Sequence, residues 1–177
     1  MPWNHVLVGE GAGRRDVRGL VLPVLLIQLI ETGRWKHPGE PALARAMPWF
    51  EDQLDFLTDA HEMERQSRAL DRLADDEESS RLFRLVRRRG SEGSVDLPWL
   101  EVEHAILIAV SHYAGDDTAV ALDYRVDPAN PRVVGSDIWT VSGRYQWRTI
   151  APTFAAFANA LGLDEPAGGG PPGPPGR

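Results

Sequence analysis

The chain has 177 residues, no cysteine, and 26 acidic against 19 lysine and arginine residues, for a formal net charge of −7. Without cysteine there can be no disulfides, thiolate metal sites, iron–sulfur ligation or cysteine nucleophile. The acidity repels phosphate backbones, which argues against direct nucleic-acid binding and favours a basic partner. The length suits one domain burying roughly two-thirds of its unfolded surface, and the missing cysteines fit a reducing cytoplasm.

Gly9-Glu10-Gly11-Ala12-Gly13 has the look of a phosphate loop, but Arg14-Arg15-Asp16 follow where a lysine and a hydroxyl residue are needed. It reads as an N-terminal loop. The apolar run from Leu20 to Ile30 is shorter than the roughly 20 residues a membrane helix requires. Arg14, Arg15 and Arg18 precede it as in a signal peptide, yet Glu31-Thr32-Gly33 follow it in place of a small-residue cleavage site. The expectation is a buried helix from about Leu22 to Glu31, with Pro23 in its first turn and Gly33 past its end.

Gly33 to Pro41 is too rich in Gly and Pro for a regular element. A second helical region is expected from Glu51, because Leu54, Leu57, Ala60, Met63, Leu70 and Leu73 recur at helix-like spacing with Ser67 in the gap. Asp75-Asp76-Glu77-Glu78 interrupts it, and Leu82, Phe83, Leu85 and Val86 resume an amphipathic segment ending at Gly90. The helical part thus covers about 20–90.

After Ser91 the period changes. Ala105 to Val110 is a continuous apolar run, as in a strand buried on both faces. Gly115-Asp116-Asp117 has hairpin chemistry. In the return strand, Thr118 to Val126, the residues Val120, Leu122, Tyr124 and Val126 alternate with Ala121, Asp123 and Arg125. Asp123 should therefore share a face with Arg125. Asp127-Pro128-Ala129-Asn130-Pro131 turns the chain into a strand over Arg132 to Val141, with Gly135 as a bulge. Ser142-Gly143 turns it again into Arg144 to Ile150.

Short turns between successive strands predict an antiparallel meander. A last helix follows Pro152, with Phe154, Phe157, Ala158 and Leu161 on one face and Gly162 as its stop. The fold expected is α+β: N-terminal helices, an antiparallel sheet of four or more strands, and a C-terminal amphipathic helix packed on that sheet. Residues 164–177, almost all Gly and Pro beyond Ala167, read as a disordered tail after a domain over 1–163.

No motif carries catalysis. His61-Glu62 lacks the second histidine of a metalloprotease helix, since Arg65 stands there. His5, His37, His104 and His112 show no ligand spacing, and no Gly-x-Ser-x-Gly elbow occurs. No metal or cofactor is expected. The exposed acids Asp75, Asp76, Glu77, Glu78, Asp116 and Asp117 are the candidate partner-binding residues, chosen on charge and exposure. Six tryptophans are many for this length, and each could be core filling or an interface anchor.

Three stretches occur in a telling order: Val120-Ala121-Leu122-Asp123-Tyr124-Arg125, then Pro131-Arg132-Val133-Val134, then Trp147-Arg148-Thr149-Ile150-Ala151-Pro152-Thr153-Phe154-Ala155-Ala156-Phe157. With Gly33-Arg34-Trp35, Leu97-Pro98-Trp99 and Gly115-Asp116-Asp117, they resemble the SUKH superfamily, best from Leu97 to Leu163. The resemblance implies one curved antiparallel sheet flanked by helices and no general catalytic residues. It also implies a cytoplasmic immunity protein that binds a toxin, such as a basic nuclease or deaminase. A scaffold or regulator of cell-wall synthesis is the alternative the fungal relatives suggest. An enzyme using carboxylates around Asp116, Asp117 and Asp123 is a third reading, and an Asp123–Arg125 pair would count against it.

Overall fold

The computed structural model describes residues 15–75, 100–113, 118–142 and 145–164, with the backbone alone for 69–75. The sheet is built largely from the continuous apolar run at Ala105 to Val110 and the stretches after it. Strands β4 (Ala105–Ser111), β5 (Ala119–Asp123), β6 (Arg132–Asp137) and β7 (Gln146–Ala151) follow one another as an antiparallel meander, and β3 (Leu54–Phe56) adds to the free side of β4. All five residues of β5 are buried, so this strand is covered on both faces. A separate two-stranded hairpin pairs β1 (Asp16–Val17) with β2 (Leu20–Val21) through Arg18 and Gly19, both at positive φ.

Helix α1 (Val24–Glu31) buries Leu26 and Leu29, and Leu22 before it is 2% exposed. The chain leaves α1 through Gly33 at φ 65°. Helix α2 (Glu40–Ala46) comes after the proline-rich loop, with Pro41 in its first turn. Helix α3 (Ala60–Asp75) packs on β4, and α4 (Phe154–Ala160) packs on β6 and β7. Thr153 caps α4, its Oγ1 accepting from the Ala156 N–H at 3.1 Å, and Pro152 lies just outside the helix. Phe154, Phe157, Ala158 and Leu161 are all buried, and Gly162 at φ 71° ends the helix. A single hydrophobic cluster joins these residues to Trp35, Met47, Met63 and the central strands. The α+β architecture with a closing helix on the sheet is as the sequence indicates.

Several expectations are corrected. The region from Glu51 does not begin as a helix. Leu54–Phe56 pairs with Ala109–Ser111, and the helix starts only at Ala60. Asp59 causes this: its Oδ1 accepts from the His61 N–H at 2.8 Å and its carbonyl from Met63 N–H at 2.9 Å, which caps the helix there. The stretch 20–90 is therefore not wholly helical, since β2 and β3 lie within it. Helix α2 occupies ground read as loop up to Pro41, and β5 ends at Asp123, earlier than Val126.

Gly135 is not a bulge but pairs with Val120 and Arg148; the register shifts lie at Val133/Val134 and at Leu107/Ala109. The latter shift explains Ser67, the polar residue in an apolar stripe. It is fully buried on α3, and its Oγ accepts from the Leu107 N–H at 3.0 Å, where the ladder slips. The amphipathic segment 82–86, the Gly115 turn and the tail beyond Asp164 lie outside the described residues.

Candidate functional site

Antiparallel pairing brings one end of β3 to β7 into a common rim: the start of β3, the end of β4, the start of β5, the end of β6 and the start of β7. The segment between α2 and β3 runs along that rim. Trp49 Nε1 donates to the Ser136 carbonyl on β6 at 3.2 Å. Phe50 lies 4.8 Å from Trp139, ring to ring. Asp52 accepts from Thr118 Oγ1, just before β5, at 2.8 Å. The Gln53 carbonyl takes the His112 N–H, just after β4, at 2.8 Å. Between Trp49 and Gln53 the segment thus reaches β6, β5 and β4 in turn, a distance of roughly 10 Å at the usual spacing between neighbouring strands.

Asp137 organises the outer end of this rim. Its side chain is 1% exposed and its Oδ1 accepts from the Trp139 and Thr140 N–H groups at 3.0 and 2.9 Å, while Oδ2 accepts from Arg148 Nε. Burial opposes ionisation of this carboxyl. The hydrogen bonds from Thr140, Arg148 and the Trp139 N–H outweigh it and hold the pKa down to about 2. The guanidinium of Arg148 also lies over Trp49, 5.7 Å from the ring centre.

The pH consequence has a definite sign. Because the folded pKa lies below the ordinary carboxylate value, Asp137 stabilises the fold fully above about pH 4, and the contribution is lost as pH falls toward 2. Wild type should exceed Asp137→Asn by about 2 kcal/mol more at pH 5 than at pH 2, measured by urea unfolding. Equal differences at the two pH values would contradict the assignment.

The tryptophans now separate by role. Trp35 and Trp147 are core: Trp35 is 1% exposed and donates to the Leu57 carbonyl at 3.0 Å, and Trp147 is 2% exposed with a buried Nε1 that finds no acceptor. Trp49 and Trp139 are half-buried at the rim, beside the exposed Ile138 and Val141. Trp3 and Trp99 lie outside the described residues.

At the other end of the sheet Asp123 is fully buried. Its carboxylate accepts from Arg125 Nε at 2.9 Å and Nη2 at 3.1 Å, and from Arg132 Nε at 2.8 Å. The Asp123–Arg125 pair is the one alternation suggested. Arg132, which the alternation does not indicate, stands directly opposite Asp123 in the register. With both oxygens engaged by guanidinium groups, this carboxylate is built as a structural anchor.

Three of the described histidines each face one carboxylate: His37 with Glu40, His104 with Glu101, and His112 with Asp55 at 3.0 Å. Glu62 pairs with Arg65, in the position a metal-binding histidine would need. Among the described residues no three His, Asp or Glu side chains converge as a metal site, and no helix is long and apolar enough to cross a membrane.

Of the acids proposed from sequence, Asp76, Glu77, Glu78, Asp116 and Asp117 lie outside the described residues. Asp75 is described only as the last backbone position of α3. The rim acids Glu51, Asp52 and Asp55 lie instead where the sequence predicts the start of a helix. Compared with protein-family models, with curated proteins and with solved structures, the chain finds no significant match in any of the three.

Proposed function

We propose that this chain is a non-catalytic protein-binding domain. In this reading it is an immunity protein that occludes a cognate bacterial toxin, a basic nuclease or deaminase, in the cytoplasm of the toxin's producer. The rim carries the reading. Two half-buried tryptophans, a phenylalanine and an arginine form a contiguous cluster beside exposed aliphatic side chains, and Trp and Arg are the residue types that dominate binding energy at protein interfaces. A standard interface buries about 800 Å² per partner, so the cluster supplies anchors within a wider contact.

Two further observations support it. The net charge of −7 attracts a basic enzyme and speeds its capture. The carboxylate that a catalytic reading would most readily use, Asp123, is occupied by Arg125 and Arg132. The order of motifs shared with the SUKH superfamily agrees with this proposal.

The test is protection. Cells expressing a basic toxin domain encoded by a gene adjacent to that of the chain are expected to survive when the chain is co-expressed and to die when it is not. Death at matched expression, with the chain soluble and folded, would sink the immunity reading. Capture of envelope-synthesis proteins would then favour the scaffold alternative.

A further inference from the structure

We propose that the partner docks on the rim formed by the segment between α2 and β3 and residues 138–142 after β6. There it contributes a basic segment with apolar neighbours, its arginine or lysine side chains meeting Glu51 and Asp52 and its apolar side chains meeting Trp139, Ile138 and Val141. The inference rests on the protein-binding reading and adds to it the surface and the chemistry of the occupant.

The choice of surface follows from a comparison of the two ends of the sheet. Among the described residues, the exposed large hydrophobic side chains divide between them: Tyr113, Ile138 and Val141 at the rim, and Val21, Val24 and Val126 toward the opposite end, where Tyr124 Oη donates to the Val21 carbonyl. The opposite end offers exposed aliphatic side chains beside the Arg125–Asp123–Arg132 group. The rim adds aromatic anchors. These are held before any partner arrives: Trp49 by its hydrogen bond to Ser136, the Trp139 backbone by Asp137, and the Phe50 and Trp139 rings by each other. Little side-chain ordering remains to oppose binding.

Charge selects the occupant. Glu51 is exposed and Asp52 is half-buried with one oxygen accepting from Thr118. The rim's described guanidinium, Arg148, is already engaged by Asp137. Acids beside apolar anchors attract a cationic segment and repel an acidic one, so the same surface both steers and discriminates.

The test uses the full chain, with its tryptophan indole and backbone signals followed by NMR during titration with a synthetic peptide alternating arginine and leucine. A peptide with glutamate in place of arginine is the control. The expected result is a saturable shift of the Trp49 and Trp139 indole signals that weakens with added salt and is absent with the control peptide. Glu51→Lys should weaken binding at least fivefold without lowering Tm, and Trp139→Ala should weaken it further. Saturation at Val21, Val24 and Val126, undiminished binding by Glu51→Lys, or no saturable change would each overturn the assignment. The protection assay decides the immunity reading independently, so a protective chain that fails this titration would show that the partner binds elsewhere.

Discussion

Asp123→Asn is expected to cost about 3 kcal/mol of folding stability, read from the urea midpoint at unchanged slope. The carboxylate is fully buried and receives three side-chain hydrogen bonds from two guanidinium groups, plus the Arg125 N–H at 3.2 Å. Neutralising it leaves two cations facing each other without their counter-charge. Removing one partner of a buried ion pair typically costs about 3–5 kcal/mol. The lower end applies here because the Arg125 and Arg132 side chains are 15% and 20% exposed and keep some hydration. Arg132→Gln should be milder, since Arg125 still holds both oxygens. A loss below about 1 kcal/mol for Asp123→Asn would mean that water replaces the carboxylate at little cost, contrary to its role as an anchor.

Trp35→Ala is expected to have an effect of similar or greater size, about 3–5 kcal/mol. The side chain fills the junction between the loop after α1, strand β3 and helix α4. Its ring lies 4.7 Å from that of Phe56 and 5.4 Å from that of Phe154, and its Nε1 donates to Leu57. Truncation opens a cavity and orphans a buried carbonyl. Trp35→Phe keeps most of the apolar area and loses the donor, so about 1–2 kcal/mol is expected. Thermal unfolding of the two variants separates packing from hydrogen bonding, and equal losses would show that the cavity contributes little.

How much of this was legible in the sequence depended on periodicity. Strands β4 to β7 and helix α4 were readable because Ala105 to Val110 is unbroken apolar, because Val120 and Leu122 alternate with Ala121 and Asp123, because turns separate the later strands, and because Phe154, Phe157, Ala158 and Leu161 keep one helical face. Strand β3 was not readable, since three residues carry too little pattern to distinguish a strand from a helical turn and Leu54 fits the spacing of the helix after it. The better signal was Asp59 followed three residues later by Glu62, the spacing of a capped helix start. Helix α2 was hidden by the density of Gly and Pro, although Pro41 is well suited to a first turn.

Arg132 could have been found from the turn at 127–131, which sets Asp123 opposite it. The rim could not. It gathers Trp49, Phe50, Thr118, Trp139 and Arg148 from stretches far apart in the chain, and only strand order brings them to one end of the sheet. The acids singled out by charge, from Asp75 to Glu78 and at Asp116 and Asp117, illustrate the limit of composition: it indicates an acidic protein without indicating which acids border an apolar anchor.

The most direct measurement mixes the purified chain with a purified basic toxin domain encoded by a gene adjacent to that of the chain, and follows both the mass of the complex and the toxin's activity. A one-to-one complex in the nanomolar range that abolishes activity is the expected result. Two species that remain separate at micromolar concentration, with activity unchanged, would contradict the proposal that this fold exists to bind and neutralise that partner.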